Sequence, residues 1–168
     1  GHLGELVDRV GKPAAAEALH AFEDALNALL ATGICLDRSA EHGIMLRDFH
    51  SPNLMWLPER EGIARVGVID FQDALRGPWA YDLVSLLQDA RVDVSAERET
   101  ELLAHYTEAV SQADAAFDAD LFQRDYAILG AQRAAKIIGI FHRLNIRDGK
   151  PHYLAHIPRV ERYMARNL

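Results

Sequence analysis

The chain has 168 residues, 49% of them hydrophobic, and a formal net charge of −7. This length and apolar content suffice for one globular domain with its own core. The acidic excess argues against a protein that binds nucleic acid or a membrane surface, because both require clustered Lys and Arg. Cys35 is the single cysteine, so no internal disulfide can form, and no apolar stretch is long enough to span a membrane. These features predict a cytoplasmic protein.

The first quarter of the chain is predicted to contain one helix. Residues 1–12 are interpreted as a connecting segment. Apolar residues then recur at spacings of mostly three and four, at Leu19, Phe22, Leu26, Leu29 and Leu30. This spacing predicts an amphipathic helix over residues 13–32, ended by Gly33 as a left-handed cap. Residues 34–43 are predicted to form a loop that ends at Gly43.

Residues 54–57 and 66–69 are two apolar, β-prone runs. Pro, Gly and charged residues lie between them, so the runs are predicted to pair as an antiparallel hairpin. Asp48 and Asn53 come just before the first run, and Asp70 ends the second. Antiparallel pairing would bring these three side chains to one edge of the hairpin. Carboxylate and amide oxygens suit Mg²⁺, which takes its other ligands from water and phosphates.

Each of these residues also has a structural interpretation. Asp48 and Asn53, taken singly, are typical of turns and loop closure. Together with Asp70 at the other end of the hairpin, they favour a functional site.

Four helices are predicted after the hairpin. The first covers residues 79–89 and buries Leu83, Leu86 and Leu87. The second covers residues 96–112 and begins after Ser95, which is a favourable N-cap. The third begins at Asp118 and runs to residue 144, followed by a turn over residues 145–150. The last follows Pro151 and runs to about residue 166.

Two features of the third helix remain open from the sequence. Gly130 and Gly139 lie inside it, and each marks either a close helix contact or a break. Arg133 and Lys136 lie three positions apart on one face, which favours a solvated or salt-bridged face over a site for a substrate anion. The predicted buried residues of this helix are Leu121, Phe122, Ile128, Leu129, Ile137 and Phe141.

Residues 46–53 and 70–73 also contain a recognisable sequence motif. They read Leu46-Arg47-Asp48-Phe49-His50-Ser51-Pro52-Asn53 and Asp70-Phe71-Gln72-Asp73. An Asp followed five residues later by Asn, and then by a strand ending in Asp-Phe, resembles the catalytic core of protein-kinase-like phosphotransferases. With residues 77–87 and 147–151, the chain resembles the aminoglycoside phosphotransferase superfamily, in the branch that includes cell-wall amino-sugar kinases. The resemblance covers most of residues 44–164.

The resemblance implies a role for each motif residue. Asp48 would accept the proton of the substrate hydroxyl, and Asn53 and Asp70 would hold Mg²⁺ on the phosphates of ATP. Asp82 would accept backbone N–H bonds from the catalytic loop, as the Asp at this position does in the family.

Three more residues are assigned supporting or substrate-contacting roles. Arg47 is expected to pair with a nearby acid and to position the loop. His50 either touches substrate or braces the loop, and both possibilities stay open. Asp73 is expected to have an accessory role at the site.

The chain departs from the family pattern at two positions. Leu46 stands where the family usually has a His that supports the loop, and Gln72 follows Asp70-Phe71 where protein kinases have Gly. Neither change removes a group that binds metal or transfers a proton.

The expected fold is therefore mainly α with a small β-hairpin, as a single domain over residues 1–168 that corresponds to the carboxy-terminal catalytic lobe of a kinase. A β-rich amino-terminal lobe is expected outside this chain, since Lys12, Lys136 and Lys150 lie in no β-prone run. The segment Gly4–Lys12 has the wrong glycine spacing for a phosphate-binding loop. The isolated chain is expected to be inactive.

The predicted function is ATP-dependent phosphoryl transfer to a hydroxyl of a small molecule, first an amino sugar and second an aminoglycoside. A non-catalytic binding or scaffold domain of the same fold is the alternative from a different class. A metal-dependent phosphohydrolase using His50 is weaker, because the histidines are too scattered to form a usual ligand set.

Overall fold

The computed structural model describes residues 43–168. The connecting segment, the helix over residues 13–32 and the cap at Gly33 that the sequence predicts lie outside these residues. Within them, the strands are β1 (Gly43–Met45), β2 (Leu54–Trp56), β3 (Val66–Val68) and β4 (Leu75–Gly77). The α-helices are α1 (Ala80–Leu87), α2 (Ala96–Ala113), α3 (Ala119–Asp148) and α4 (Ile157–Asn167). Short 3₁₀ turns cover Ser51–Asn53, Gly62–Arg65 and Pro151–His156.

The predicted hairpin is present. Strands β2 and β3 pair antiparallel with Leu54 opposite Val68 and Trp56 opposite Val66. One more backbone bond, from Ile69 N to Asn53 O at 3.0 Å, extends the pairing to the base of the hairpin. The pairing therefore joins the chain at Asn53 to the chain just before Asp70, as the sequence predicts.

A second strand pair brackets the hairpin and was not predicted. Strands β1 and β4 run antiparallel, with Gly43 opposite Gly77, so Gly43 lies in a strand and not in a loop. A Cβ atom at Gly77 would lie 3.0 Å from Sδ and Cε of Met45, so a larger residue there would require the end of the Met45 side chain to shift. The pair encloses residues 46–74, which comprise the hairpin and the loop over residues 46–53, named the catalytic loop after the resemblance.

Helix α1 lies at the centre of the packing, and all eight of its residues are buried. The sequence predicts one buried stripe, and the helix ends two residues earlier than predicted. Leu83, Leu86 and Leu87 are completely buried, and each contributes about 1.5–3 kcal/mol by leaving water. The cluster that surrounds them includes Phe49, Leu102, Tyr106, Val110, Phe122 and Tyr126.

The predicted N-caps of α2 and α3 are confirmed. The Ser95 side chain accepts a hydrogen bond from Arg98 N, and the Asp118 side chain accepts one from Leu121 N. The predicted end of α3 is wrong, because the helix continues through residues 145–148. It ends at Gly149, whose φ of 62° lies in the left-handed region that glycine adopts without strain.

The predicted apolar stripe of α3 is correct only in part. Phe122 and Phe141 are buried, whereas Leu121 and Ile128 are exposed, because a 30-residue helix crosses several neighbours and no single stripe stays inward. Its two glycines differ. A Cβ atom at Gly130 would lie 2.8 Å from Asn167 Cγ, whereas one at Gly139 would meet nothing within 4 Å. Gly130 marks a close helix contact, and neither glycine breaks the helix.

Helix α4 is shorter than predicted, because Pro151–His156 forms a 3₁₀ turn before it. The helix is fixed by a polar network. Arg166 of α4 forms an ion pair with the buried Glu99 of α2 at 2.7 Å, and Glu99 also accepts from Tyr126 Oη and Gln88 Nε2. Between residues 43 and 168, no helix has both the length and the apolar character needed to cross a bilayer.

Candidate active site

Asn53 and Asp70 meet at the base of the hairpin. Asn53 Nδ2 donates to Asp70 Oδ2 at 3.3 Å and to the backbone oxygen of Asp48 at 2.9 Å. Gln72 Nε2 donates to the other oxygen of Asp70. Asp48 and Asp70 are exposed. The structure thus brings Asn53 and Asp70 together through their side chains and ties Asp48 to them through its backbone.

The hydrogen bonds determine which way the Asn53 amide points. A backbone carbonyl can only accept, so the amide nitrogen of Asn53 must face Asp48 O. The side-chain oxygen Oδ1 makes no hydrogen bond to any residue within 43–168. It is therefore available next to the Asp70 carboxylate as an oxygen donor for a ligand.

This pair of oxygen donors fits Mg²⁺. Mg²⁺ in phosphotransferases takes one or two ligands from the protein and the others from water and phosphate oxygens. Among residues 43–168 there is no cluster of three or more His, Cys, Asp or Glu side chains suited to a metal ion. A complete protein cage is therefore absent from this part of the chain, whereas a shared site for a metal and phosphates is compatible with Asn53 and Asp70.

Two residues of the site have left-handed backbones. Arg47 has a φ of 71° and Asp70 a φ of 61°. Asp tolerates this conformation better than other non-glycine residues. For Arg47 the conformation costs about 1–2 kcal/mol, so the surrounding contacts must hold it. Backbone strain of this kind concentrates at functional sites.

Asp82 of α1 holds the backbone at Leu46 and Arg47, which form the Arg47 corner. Its carboxylate accepts from Leu46 N at 2.6 Å and from Arg47 N at 2.9 Å. Burial raises the pKa of Asp82 from 3.8 to about 6, although the two backbone bonds and the nearby Arg133 charge act in the opposite direction. These are the backbone contacts that the resemblance implies for this position.

Ser85, one helical turn after Asp82, is a site residue that the sequence did not indicate. Its hydroxyl lies 2.9 Å from Tyr81 O and 3.3 Å from Arg47 O. The hydroxyl has one proton to donate, and its shorter contact is to Tyr81 O, so Asp82 holds Arg47 at its N–H while Ser85 makes only the longer contact with the Arg47 carbonyl. A serine in a mostly apolar helix carries little signal by itself, and only its spacing of three from Asp82 relates it to the loop.

Within residues 43–168, the Arg47 side chain makes no ion pair with an acid, so its predicted pairing stays a prediction. Its backbone N–H donates to Asp82. Leu46, which replaces the usual histidine, packs against the main hydrophobic cluster. Asp82 and Ser85 position the corner without needing a polar side chain at position 46.

His50 lies behind the loop and is 9% exposed. Its Nδ1 atom is 3.3 Å from Arg91 Nη1. Burial lowers the pKa of His50, with Asp89 and Asp48 raising it and Arg91 and Arg133 lowering it further. A neutral, buried imidazole in contact with Arg91 favours the bracing alternative over direct contact with substrate.

Asp73 is exposed in the turn between Asp70 and β4. No hydrogen bond or ion pair connects its side chain to another residue in the described part of the chain. The structure therefore provides no contact that ties Asp73 to Asn53 or Asp70, and its accessory role stays a prediction.

Arg133 and Lys136 do not share a solvated face. Lys136 is exposed, whereas Arg133 is 6% exposed. The Arg133 guanidinium lies 5.5 Å from the centre of the Tyr81 ring, and Nη1 donates to Tyr81 Oη at 3.3 Å. The interpretation of this face as solvated or salt-bridged is wrong for Arg133, because α3 packs against α1 at that point.

The sequence of this chain is similar to that of named kinases. Residues 3–122 match the model of the phosphotransferase enzyme family. The N-acetylmuramate/N-acetylglucosamine kinase of Caulobacter vibrioides is 49% identical over 118 residues, which are 70% of this chain and 31% of that protein. The kinase of the same name from Neisseria meningitidis is 44% identical over 124 residues, 71% of this chain and 35% of that protein.

A third kinase of this name, from Pseudomonas putida, is 38% identical over 120 residues, 70% of this chain and 34% of that protein. The chain thus spans about a third of the length of the curated relatives it matches. The family match covers well over half of the chain and includes residues 46–73, which form the hairpin and its polar base. The chain therefore belongs to the phosphotransferase enzyme family.

Proposed function

We propose that this chain is the catalytic lobe of a kinase that transfers the γ-phosphoryl group of ATP to a hydroxyl of an amino sugar. The observation that carries the proposal is the contact of Asn53 with Asp70 and with the Asp48 backbone. This contact lies at the base of the hairpin, in a chain related to named kinases.

Asp48 is the proposed catalytic base. Its side chain is exposed, while its backbone is fixed by Asn53. The acceptor oxygen attacks the γ-phosphorus as the bond to the bridging oxygen breaks, the hydroxyl proton passes to Asp48, and ADP leaves. A carboxylate held next to the acceptor orients it and removes its proton, and such positioning supplies much of the rate enhancement in phosphoryl transfer.

Asn53 and Asp70 are the proposed Mg²⁺ ligands. Bound there with the nucleotide, the ion would neutralise the charge of the phosphates. Asn53 would contribute Oδ1, because its nitrogen is engaged by Asp48 O and Asp70 Oδ2. Gln72 holds the second oxygen of Asp70 and so limits rotation of that carboxylate.

The proposed acceptor class is the amino sugar, phosphorylated at its anomeric hydroxyl. All three relatives described above carry N-acetylmuramate and N-acetylglucosamine in their names. A kinase that uses ATP and acts on sugars of cell-wall recycling would work in the cytoplasm. The acceptor panel described below separates this class from aminoglycosides.

The rest of the nucleotide site is proposed to come from a β-rich lobe outside this chain. Two observations support it: the chain spans about a third of its relatives, and its three lysines lie in no β-prone run. The isolated chain would then bind Mg·ATP weakly and be inactive. Tight, specific ATP binding by residues 1–168 alone would contradict this part of the proposal.

The test is ATP consumption by the protein from the longest reading frame that contains this chain. It is assayed with Mg²⁺ and a panel of amino sugars and aminoglycosides. The Asp48→Asn variant removes the proposed base, and Glu59→Gln at the exposed, far end of the hairpin is the matched control. We expect turnover with an amino sugar, lost by about 100-fold or more in Asp48→Asn and retained in Glu59→Gln.

Other outcomes of this assay are equally informative. Turnover only with aminoglycosides would replace the acceptor class and leave the mechanism in place. No turnover with any acceptor, in a folded protein, would reject the kinase proposal in favour of a binding domain. Wild-type turnover in Asp48→Asn would reject the role of Asp48.

A further inference from the structure

Asp89 is a second carboxylate buried behind the catalytic loop. It lies two residues beyond the end of α1 and is 1% exposed. Its Oδ2 atom accepts from Ser51 N at 3.0 Å and from Ser51 Oγ at 2.6 Å. Its Oδ1 atom accepts from Arg91 N at 2.8 Å. Both oxygens of this carboxylate are therefore engaged by neighbouring donors.

These contacts are stronger than ordinary loop closure. Hydrogen bonds to an ionised carboxylate are shorter and about twice as strong as neutral ones, and 2.6 Å is typical of a hydroxyl bonded to a carboxylate. A buried carboxylate without such partners would be very unfavourable. The three bonds therefore account for the burial of Asp89, and they fix Ser51 at both its backbone and its side chain.

Fixing Ser51 also fixes Asn53. Ser51–Asn53 is a single 3₁₀ turn, and Asn53 N donates to His50 O at 2.9 Å. Leu54 N, at the start of β2, donates back to Ser51 O. These bonds tie the residues of the turn together, so we expect a displacement of Ser51 to displace the proposed metal ligand Asn53 as well.

The same carboxylate organises His50 through Arg91. The bond from Arg91 N holds the chain just after Asp89, and Arg91 Nη1 then lies 3.3 Å from His50 Nδ1. An arginine can only donate, so Nδ1 of His50 accepts and the imidazole proton resides on Nε2. The lowered pKa of His50, caused mainly by burial, agrees with this neutral form. Asp89 thus contacts Ser51 directly and His50 through Arg91.

The catalytic loop is therefore held at two points on the same side. Asp82 binds Leu46 N and Arg47 N at its start, and Asp89 binds Ser51 near its end. Asp48 lies between the two points. We propose that Asp89 is a positioning residue that acts through Ser51 to fix Asn53 relative to Asp48. Its effect on catalysis rests on the proposed kinase function, whereas its effect on loop order does not.

The experiment compares Asp89→Asn, Ser51→Ala and the double variant with Asp93→Asn. Asp93 is a matched control, because it is an exposed carboxylate four residues further on that pairs with Arg159. The protein is made from the longest reading frame that contains the chain. The measurements are amide hydrogen exchange of the peptide covering residues 46–53, global unfolding by urea, and kcat and KM for ATP and the acceptor.

We expect faster exchange of residues 46–53 in Asp89→Asn, by about 10- to 100-fold, as expected from loss of a charge-assisted bond. Exchange in α2 and in the Asp93→Asn control would stay as in the wild type. The kcat value would fall by about 10- to 100-fold, with little change in KM for the acceptor. The double variant would lose less than the product of the two single effects, because Ser51 and Asp89 act as one unit.

Two results would overturn the proposal. One is that Asp89→Asn has the same hydrogen exchange and the same kcat as the wild type. The other is that its fall in kcat is fully explained by the fraction of the protein that is unfolded. If Asp89→Asn does not fold, Ser51→Ala removes the 2.6 Å bond alone and the same criteria apply to it. Absence of turnover in the wild type would reject the kinase proposal, and the exchange measurement would still decide the role of Asp89.

Discussion

The pH dependence of stability at Asp82 tests how the catalytic loop is held. Replacement of Asp82 by Asn removes the ionisable group but keeps one oxygen that can accept from Leu46 N or Arg47 N. In the folded chain the pKa of Asp82 is raised from 3.8 to about 6, mainly by burial. The stabilisation by protonated Asp82 is therefore fully present below pH 3.8 and is lost as the pH rises through about 6.

The size of the effect follows from the two pKa values. At 1.36 kcal/mol for each pKa unit, ionisation of Asp82 lowers the free energy of unfolding by about 3 kcal/mol in total. Linkage distributes this loss along the pH scale, and about 1.4 kcal/mol of it falls between pH 5 and pH 7.5. Other groups titrate in this range, but they contribute equally to the wild type and the variant and cancel in their difference.

The assay is urea unfolding of the wild type, Asp82→Asn and the exposed control Asp93→Asn at pH 5 and pH 7.5. We expect the free energy of unfolding of the wild type to fall by about 1.4 kcal/mol more than that of Asp82→Asn over this interval. The control should follow the wild type. Turnover of Asp82→Asn should fall by about 10- to 100-fold, because loosening of the Arg47 corner displaces Asp48.

A difference between wild type and Asp82→Asn that stays constant with pH would refute this reasoning. A difference that grows in favour of the wild type at pH 7.5 would also refute it. The constant difference would mean that the two backbone bonds and the Arg133 charge offset burial and hold the pKa at or below 3.8, because Asp82 would then be ionised in both the folded and the unfolded chain over this interval.

Two further predictions concern α3 and the metal site. The Asn167 amide exchanges two hydrogen bonds with the Gln88 amide. Gly130→Ala should lower the free energy of unfolding by about 1 kcal/mol, because the new Cβ would displace Asn167 and the loss of these bonds exceeds the gain in helix propensity. Gly139→Ala, with open space around it, should raise that free energy by about 1 kcal/mol, and equal signs for both variants in urea unfolding would contradict the packing described here. Asp70→Asn should weaken Mg²⁺-dependent nucleotide binding by about 10-fold or more, measured by calorimetry with and without Mg²⁺, and unchanged binding would exclude Asp70 as a ligand.

Local features of the chain were predictable because neighbouring residues determine them. The hairpin follows from two apolar runs with a turn between them, and Ser95 and Asp118 start helices because their side chains accept from an N–H three residues later. The second strand pair escaped prediction. Its strands have three residues each and are separated by about 30 positions, which is too short for a periodic signal and too far for a turn signal.

The burial of charged and polar side chains was not predictable in the same way. Arg133 looks like a surface residue in sequence, and only the packing of α3 against Tyr81 of α1 makes it a buried one. Ser85 and Asp89 lie in or after an apolar helix without any pattern of their own. Their importance depends on partners 38 positions earlier.

The sequence by itself indicated which groups are proposed to do the chemistry. The spacing of Asp48, Asn53 and Asp70 around an antiparallel hairpin is a local property, and antiparallel pairing necessarily brings the two ends of a hairpin together. The tertiary structure alone decided how those groups are held. Asp82 and Asp89 reach the loop across 35 to 38 positions of sequence, and these bonds depend on the packing of α1, which places both carboxylates behind the loop.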